Sequence, residues 1–223
     1  YEHTLGVMYT SASLAMCYGE DVNDAMIAGL LHDCAKCIPP KKKIRLCKKY
    51  HIHITESEYA NPSLLHAKLG AYIAAEKYHI KDQMILSAIH CHTTGKPHMT
   101  MPDKILFIAD YIEPGRKDAP HLPELRKLAF QDIDECLYLI LKDTLSYLQT
   151  RNLTLDPMTE KTYRYYQQGI KERRTIKEDT MSHVLELSKK MASIAYHALD
   201  SKKGEDIQVI DISEISVLAI ILS

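Results

Sequence analysis

Apolar positions recur along most of this chain at the three-and-four spacing of helices that bury one face. Leu5, Met8, Ala12 and Ala15 form the first such stripe, which predicts a helix from Leu5 to Tyr18 with Gly19 as its stop. A second helix is expected from about Asp21 to Asp33. Pro39-Pro40 then breaks the chain, and Lys41 to Tyr50 reads as a basic amphipathic helix whose Lys41-Lys42-Lys43 run forms a solvated face. A third core helix opens at Asn61-Pro62-Ser63, and a fourth runs from Asp82 to about Cys91. Met101 to Ile112 and Phe130 to Leu148 are two further helices, the second carrying Ile133, Leu137, Ile140, Leu141 and Leu145 on one side. No stretch up to that point alternates like a strand, so the expected architecture is an all-α bundle.

The character changes after residue 168. Residues 169–180, Gly169 to Thr180, are rich in charge and poor in apolar side chains, which predicts a linker. An amphipathic helix follows from about Ser182 to Leu199, and Ile207 to Ile212 alternates as a strand. One helix and one strand cannot bury a core alone. The expected division is therefore a helical domain over 1–168, the linker, and a short α/β remnant over 181–223.

Composition narrows the setting. The chain has 223 residues, 46% of them hydrophobic, and a net charge of -1, so no bulk positive charge points to nucleic acid or an anionic membrane. No run of 18 apolar residues and no signal pattern occurs, which leads to the expectation of a cytoplasmic protein with no membrane partner. The chain opens without Met, so an upstream segment is an expectation too. Six cysteines are scattered through helical segments, and they read as reduced thiols rather than a disulfide framework. Cys34 and Cys37 form a C-x-x-C with no second pair at zinc-site spacing.

The candidate chemistry lies in polar residues set among apolar ones. His32-Asp33 ends the run Ala28-Gly29-Leu30-Leu31, His3 precedes Leu5-Gly6-Val7, and Asp110 stands between Ile108-Ala109 and Tyr111-Ile112. A buried carboxylate is costly unless it is paired, hydrogen-bonded or bound to a cation. Three separate helices delivering imidazole and carboxylate to one point suggest a metal. His66 beside Leu64, Leu65 and Ala67 repeats the pattern on the third helix. His90 and His92 point about 200° apart on a helix, so one faces in and the other out.

In order, His3, His32-Asp33, His66, His92 and Asp110 resemble the ligand series of the HD-domain metallohydrolase superfamily. The wording of His3-Thr4-Leu5-Gly6-Val7, Leu30 to Lys36, His92-Thr93-Thr94-Gly95 and Ile108 to Arg116 resembles the YqeK family, the symmetrical bis(5'-nucleosyl)-tetraphosphatases of HD type, over about residues 1–168. The resemblance implies an HD-domain helical bundle with His3, His32, Asp33 and Asp110 as metal ligands. The metal would be iron, with manganese or another divalent transition metal as the alternative, and one or two ions. His66 and His92 would touch phosphate or complete a second metal site. Lys36, Thr93 and Arg116 would bind phosphate. The implied reaction is the symmetrical hydrolysis of diadenosine tetraphosphate to two ADP by metal-acidified water, with Asp33 or His66 managing the proton. His90-Cys91 departs from the family, which resembles Arg-Tyr there.

The tail resembles the start of the ribosomal silencing factor family over its helix, its Lys203-Gly204-Glu205-Asp206 turn and its first strand. It lacks the Asp-Tyr that usually follows Ala219, and it stops before the rest of such a domain. A truncated remnant with no ribosome binding is expected, and a homodimer through the exposed strand is one role for it. The competing functional readings are another HD-type nucleotide phosphohydrolase and a ribosome-associated module with a vestigial nucleotide site.

Overall fold

Helix formation begins at once in the computed structural model, which describes residues 1–151, 155–200, 207–210 and 219–222. Two compact units divide it, Tyr1–Ile170 and Lys171–Ser223. In the first unit α1 is Glu2–Tyr18, and it ends on Gly19, whose positive φ of 73° is cheap for a residue without Cβ. Helix α2, Val22–Leu31, starts on Asp21, whose carboxylate accepts from the Asp24 N–H, and it ends just before the His32-Asp33 pair. Helix α3 is Pro40–Lys49, α5 is Leu65–Tyr78, α6 is Gln83–Cys91, α7 is Met101–Ile112 and α9 is Ile133–Thr150.

These are the helices that the apolar spacing predicts, shifted by a few residues at their ends. Two short ones carry too few apolar positions to show in a periodicity. Helix α4, Glu56–Ala60, is closed by a reciprocal capping box between Thr55 and Glu58, and α8 is Leu122–Leu128. Among the described residues of the first unit there is no strand.

The core lies where α1, α2, α6, α7 and α9 meet. Leu14, Ile89, Ile105, Leu106, Ile108, Leu137, Ile140 and Leu141 are fully buried there. Gly29 lets α1 and α2 approach closely, because a Cβ at that position would lie 2.7 Å from the Met8 Cα. A smaller cluster of Ala35, Cys47, Leu65 and Leu69 packs α3 onto α5. Lys43, expected on a solvated face, is instead nearly buried, and burial pushes its ammonium pKa down. The six cysteines are unpaired.

Helix α10 spans Pro157–Asp200. The expected linker over 169–180 therefore lies inside a helix. Its Lys, Glu and Arg residues are good helix formers without a buried face, and no proline interrupts them. Within the second unit β1, Ile207–Ile210, pairs antiparallel with β2, Ala219–Leu222, so that Ile207 faces Leu222 and Ile210 faces Ala219. The Lys203 to Asp206 turn and the expected strand residues Asp211 and Ile212 lie outside the described residues. No described helix is long and apolar enough to cross a membrane.

Candidate metal centre

Helix ends bring the polar residues together. His3 lies in the first turn of α1, His32 and Asp33 follow the last turn of α2, and His66 opens α5. His92 caps the C-terminus of α6, and Asp110 sits in the last turn of α7. Asp33 is the hub. Its Oδ2 is 3.3 Å from His32 Nε2 and 3.7 Å from His3 Nε2, and its Oδ1 is 3.2 Å from His66 Nε2 and 3.8 Å from His92 Nε2. Asp110 Oδ1 is 3.1 Å from His3 Nε2 and 3.9 Å from His32 Nε2. Of the two histidines on α6, His92 is 3% exposed and His90 faces out, as their angular separation predicts.

The protons on these rings are fixed by what lies behind them. His32 Nδ1 donates to the Gly29 carbonyl at 2.7 Å, His66 Nδ1 to the Ser63 carbonyl at 2.6 Å, and His92 Nδ1 to the Ile89 carbonyl at 2.7 Å. His3 Nδ1 is 3.2 Å from Glu113 Oε1. A carbonyl or carboxylate partner requires N–H at Nδ1, so Nε2 of the neutral ring is the atom left to ligate a cation, and Nε2 of the protonated ring donates to the Asp33 and Asp110 oxygens. His66 Nε2 and His92 Nε2 then face one another at 3.1 Å as two acceptors, which a shared proton or a cation resolves.

That crowd of acceptors is the test of fit for a metal. His3 Nε2, His32 Nε2 and Asp33 Oδ1 are buried and make no hydrogen bond. Orphaned buried polar atoms are costly, and a cation at their focus removes the cost. Among the described residues two overlapping groups have the spacing to hold an ion, His3 with His32 and Asp110, and His32 with Asp33 and His92. The donor set of imidazole and carboxylate suits a divalent first-row transition metal.

As donors, the rings hold both carboxylates ionised. Burial pushes the Asp33 carboxyl up, but the imidazoles of His32, His66 and His92 outweigh it and hold the group well below the usual carboxylate range. Asp110 is held low in the same way, burial being outweighed by His3. Burial lowers His92, which favours the neutral ring that a metal needs, whereas the hydrogen bond to Asp110 raises His3.

The expected phosphate binders are placed unevenly. Lys36 Nζ is 2.5 Å from Asp33 Oδ2 with its side chain more than half exposed, and Arg116 Nη2 bonds the Asp110 carbonyl at 2.7 Å and its Oδ1 at 3.1 Å. Both cations stand at the rim of the cluster. Thr93 is half-buried in the turn after His92, and none of the described polar contacts joins its hydroxyl to the cluster. Glu113 is the residue that sequence reasoning missed. It is 3% exposed, holds His3 through Oε1, and accepts the Gly115 N–H at 2.6 Å through Oε2. The signal for it was a glutamate directly following an apolar helix end.

The HD-domain family profile matches residues 1–115, which contain every histidine and aspartate of the cluster. The chain belongs to the HD-domain family. It is similar to the symmetrical bis(5'-nucleosyl)-tetraphosphatase of Bacillus subtilis, 39% identical over 76% of this chain and 90% of that one. The protein of the same name from Halalkalibacterium halodurans is 37% identical over 73% of this chain and 86% of its own length. Among solved structures, a crystal structure described as a predicted HD superfamily hydrolase involved in NAD metabolism, from Clostridium acetobutylicum, superposes with a TM-score of 0.72. It is 39% identical and covers 74% of this chain and 87% of its own. The family match lies within the first unit, so the HD domain and the metal-type cluster coincide.

Proposed function

We propose that this HD domain is a hydrolase that splits a dinucleoside tetraphosphate symmetrically, diadenosine tetraphosphate plus water giving two ADP. The observation that carries the reading is the convergence of four imidazole Nε2 atoms on two carboxylates, three of the facing atoms being buried without a hydrogen bond. The names of relatives 34–39% identical over most of the chain supply the substrate.

His3, His32, Asp33 and Asp110 would hold the metal, for which we propose iron with manganese as the alternative. Bound there, a divalent ion supplies Lewis acidity at the scissile phosphoryl group and acidifies water. The remaining work falls to the chain. Arg116, already on Asp110, and Lys36, on Asp33, are at hand to take the charge of the polyphosphate on two sides of the cluster. His66 and His92, each locked by a backbone carbonyl, present Nε2 where it can accept a proton or contact a phosphoryl oxygen. Asp33 fixes the orientation of both rings, and Asp33 or His66 moves the proton.

The test is metal analysis of purified protein with product analysis on diadenosine tetraphosphate, run beside Asp33→Ala. ADP as the sole product, bound metal, and loss of both in the variant are expected. AMP with ATP would place the cleavage elsewhere and overturn the reaction.

A further inference from the structure

A cleft of about 520 Å³ opens beside the metal-type cluster, between α9 and the connection from α7 to α8. His3 and Arg116 line its inner end, so it is continuous with the place where the polyphosphate would lie. Its size is that of a small-molecule subsite. The far wall is built by α9. Asp143 and Tyr147 are one helical turn apart and present neighbouring side chains on the same face. Tyr111, from the last turn of α7, lines the cleft as well.

Each of these groups is suited to a flat heterocycle. Tyr147 is 53% exposed, so its ring is open to a ligand, and the Arg151 guanidinium lies 5.6 Å from its centroid. One guanidinium covers one face of a ring and leaves the opposite face for stacking. Asp143 accepts from His121 Nδ1 at 2.9 Å through Oδ2, and Oδ1 is a second acceptor on the same carboxylate. Its side chain is 15% exposed, so a hydrogen bond made there is partly shielded from water.

We infer that this cleft is a nucleobase subsite, in which Tyr147 stacks the base and Asp143 Oδ1 accepts from an exocyclic amine, selecting adenine over uracil. The inference rests on the dinucleoside polyphosphate reading above and adds to it the residues that choose the base. An amine-bearing base supplies the N–H that a carboxylate needs. Uracil offers a carbonyl oxygen at the corresponding edge, and two acceptors repel. Arg116 at the inner end then takes the phosphate nearest the nucleoside, which fixes the direction in which the ligand enters.

The test is equilibrium binding of ADP and of UDP to the metal-loaded protein by calorimetry. It compares wild type, Asp143→Ala and Tyr147→Ala, with melting temperature as the check on folding. Wild type should prefer ADP by about tenfold, the value of one hydrogen bond to a charged acceptor. Asp143→Ala should lose that preference by weakening ADP alone, and Tyr147→Ala should weaken both ligands about tenfold. Equal affinity of wild type for ADP and UDP, or an Asp143→Ala variant that weakens both equally, would overturn the subsite. Diadenosine tetraphosphate hydrolysis measured alongside separates the two readings. Turnover without base discrimination removes the subsite and leaves the reaction, whereas Asp143-dependent discrimination without turnover removes the reaction and leaves the subsite.

Discussion

Replacing Glu113 by glutamine changes one atom, yet it should loosen the metal centre more than most surface substitutions unfold a domain. The carboxylate uses both oxygens, Oε1 for His3 Nδ1 at 3.2 Å and Oε2 for the Gly115 N–H at 2.6 Å. An amide of the same shape has a single acceptor. Whichever way it turns, its NH₂ meets another N–H in a place that is only 3% exposed. If His3 yields, its proton moves to Nε2, and the lone pair that would bind the metal is gone. Losing a hydrogen bond to a charged acceptor costs about 1.5–3 kcal/mol, and loss of an orienting carboxylate typically weakens metal binding about 10–100-fold. Competition for metal against a chromophoric chelator reads that factor directly, with the metal-free melting temperature as control. A metal affinity within twofold of wild type would refute the reasoning. Gly6→Ala supplies an independent route to the same end, because its Cβ would come within van der Waals overlap of Glu113 Oε2. It should reproduce the loss without altering either partner.

Three further outcomes are expected. Gly29→Ala places a Cβ 2.7 Å from the Met8 Cα, so α1 and α2 must part. A loss of about 1–3 kcal/mol should appear as a lower melting temperature, and metal affinity should fall with it because the Gly29 carbonyl holds His32. Asp103 is fully buried, bonded to Ser87 and paired with Lys96 at 2.9 Å. Burial pushes its carboxyl up, but those partners outweigh it and depress the folded pKa below the unfolded value of about 3.9. Its contribution is thus complete above that value and lost as pH falls through the folded pKa, so Asp103→Asn should be less stable at pH 7, by about 3 kcal/mol, and less acid-sensitive below about pH 4. Identical acid limbs in denaturation curves would contradict this. Removal of metal by a chelator should lower the stability of wild type by about 2.7 kcal/mol relative to protein at a free-metal level 100 times its dissociation constant. In Asp33→Ala the same treatment should change nothing.

The helices were legible because their apolar stripes are long. Met101–Ile112 carries six buried apolar residues in twelve and matches its prediction at both ends. Helix α4 has five residues and a polar sequence, so its evidence was the Thr55 to Glu58 capping pattern rather than a stripe. The 169–180 segment misled because charge density resembles a linker when burial is used as the criterion, whereas α10 continues through it on helix propensity. In the site, His3, His32, Asp33, His66, His92 and Asp110 stood out against apolar neighbours, and the structure brings all six together. Glu113 and Asp143 did not stand out. Each sits at an ordinary helix end or on a helix flank, and its meaning comes from a contact more than twenty residues away in the chain.

One local device explains why the centre is built at helix ends. His32, His66 and His92 each donate Nδ1–H to the carbonyl three residues earlier, at Gly29, Ser63 and Ile89. For His32 and His92 those carbonyls belong to the last turn of α2 and α6, where the backbone has acceptors left without an intrahelical donor. The same contact satisfies the orphan carbonyl and fixes the tautomer, so Nε2 is aimed by the backbone itself. Two helix C-termini also bring partial negative charge to the cluster, which favours a cation there. His3 has no such carbonyl. It lies near the start of α1, and its Nδ1 reaches across 110 positions of chain to Glu113. Of the four histidines it is therefore the one whose aim depends on tertiary contact, and perturbations of α1 against α7 should reach the metal centre through His3 before they reach the other three.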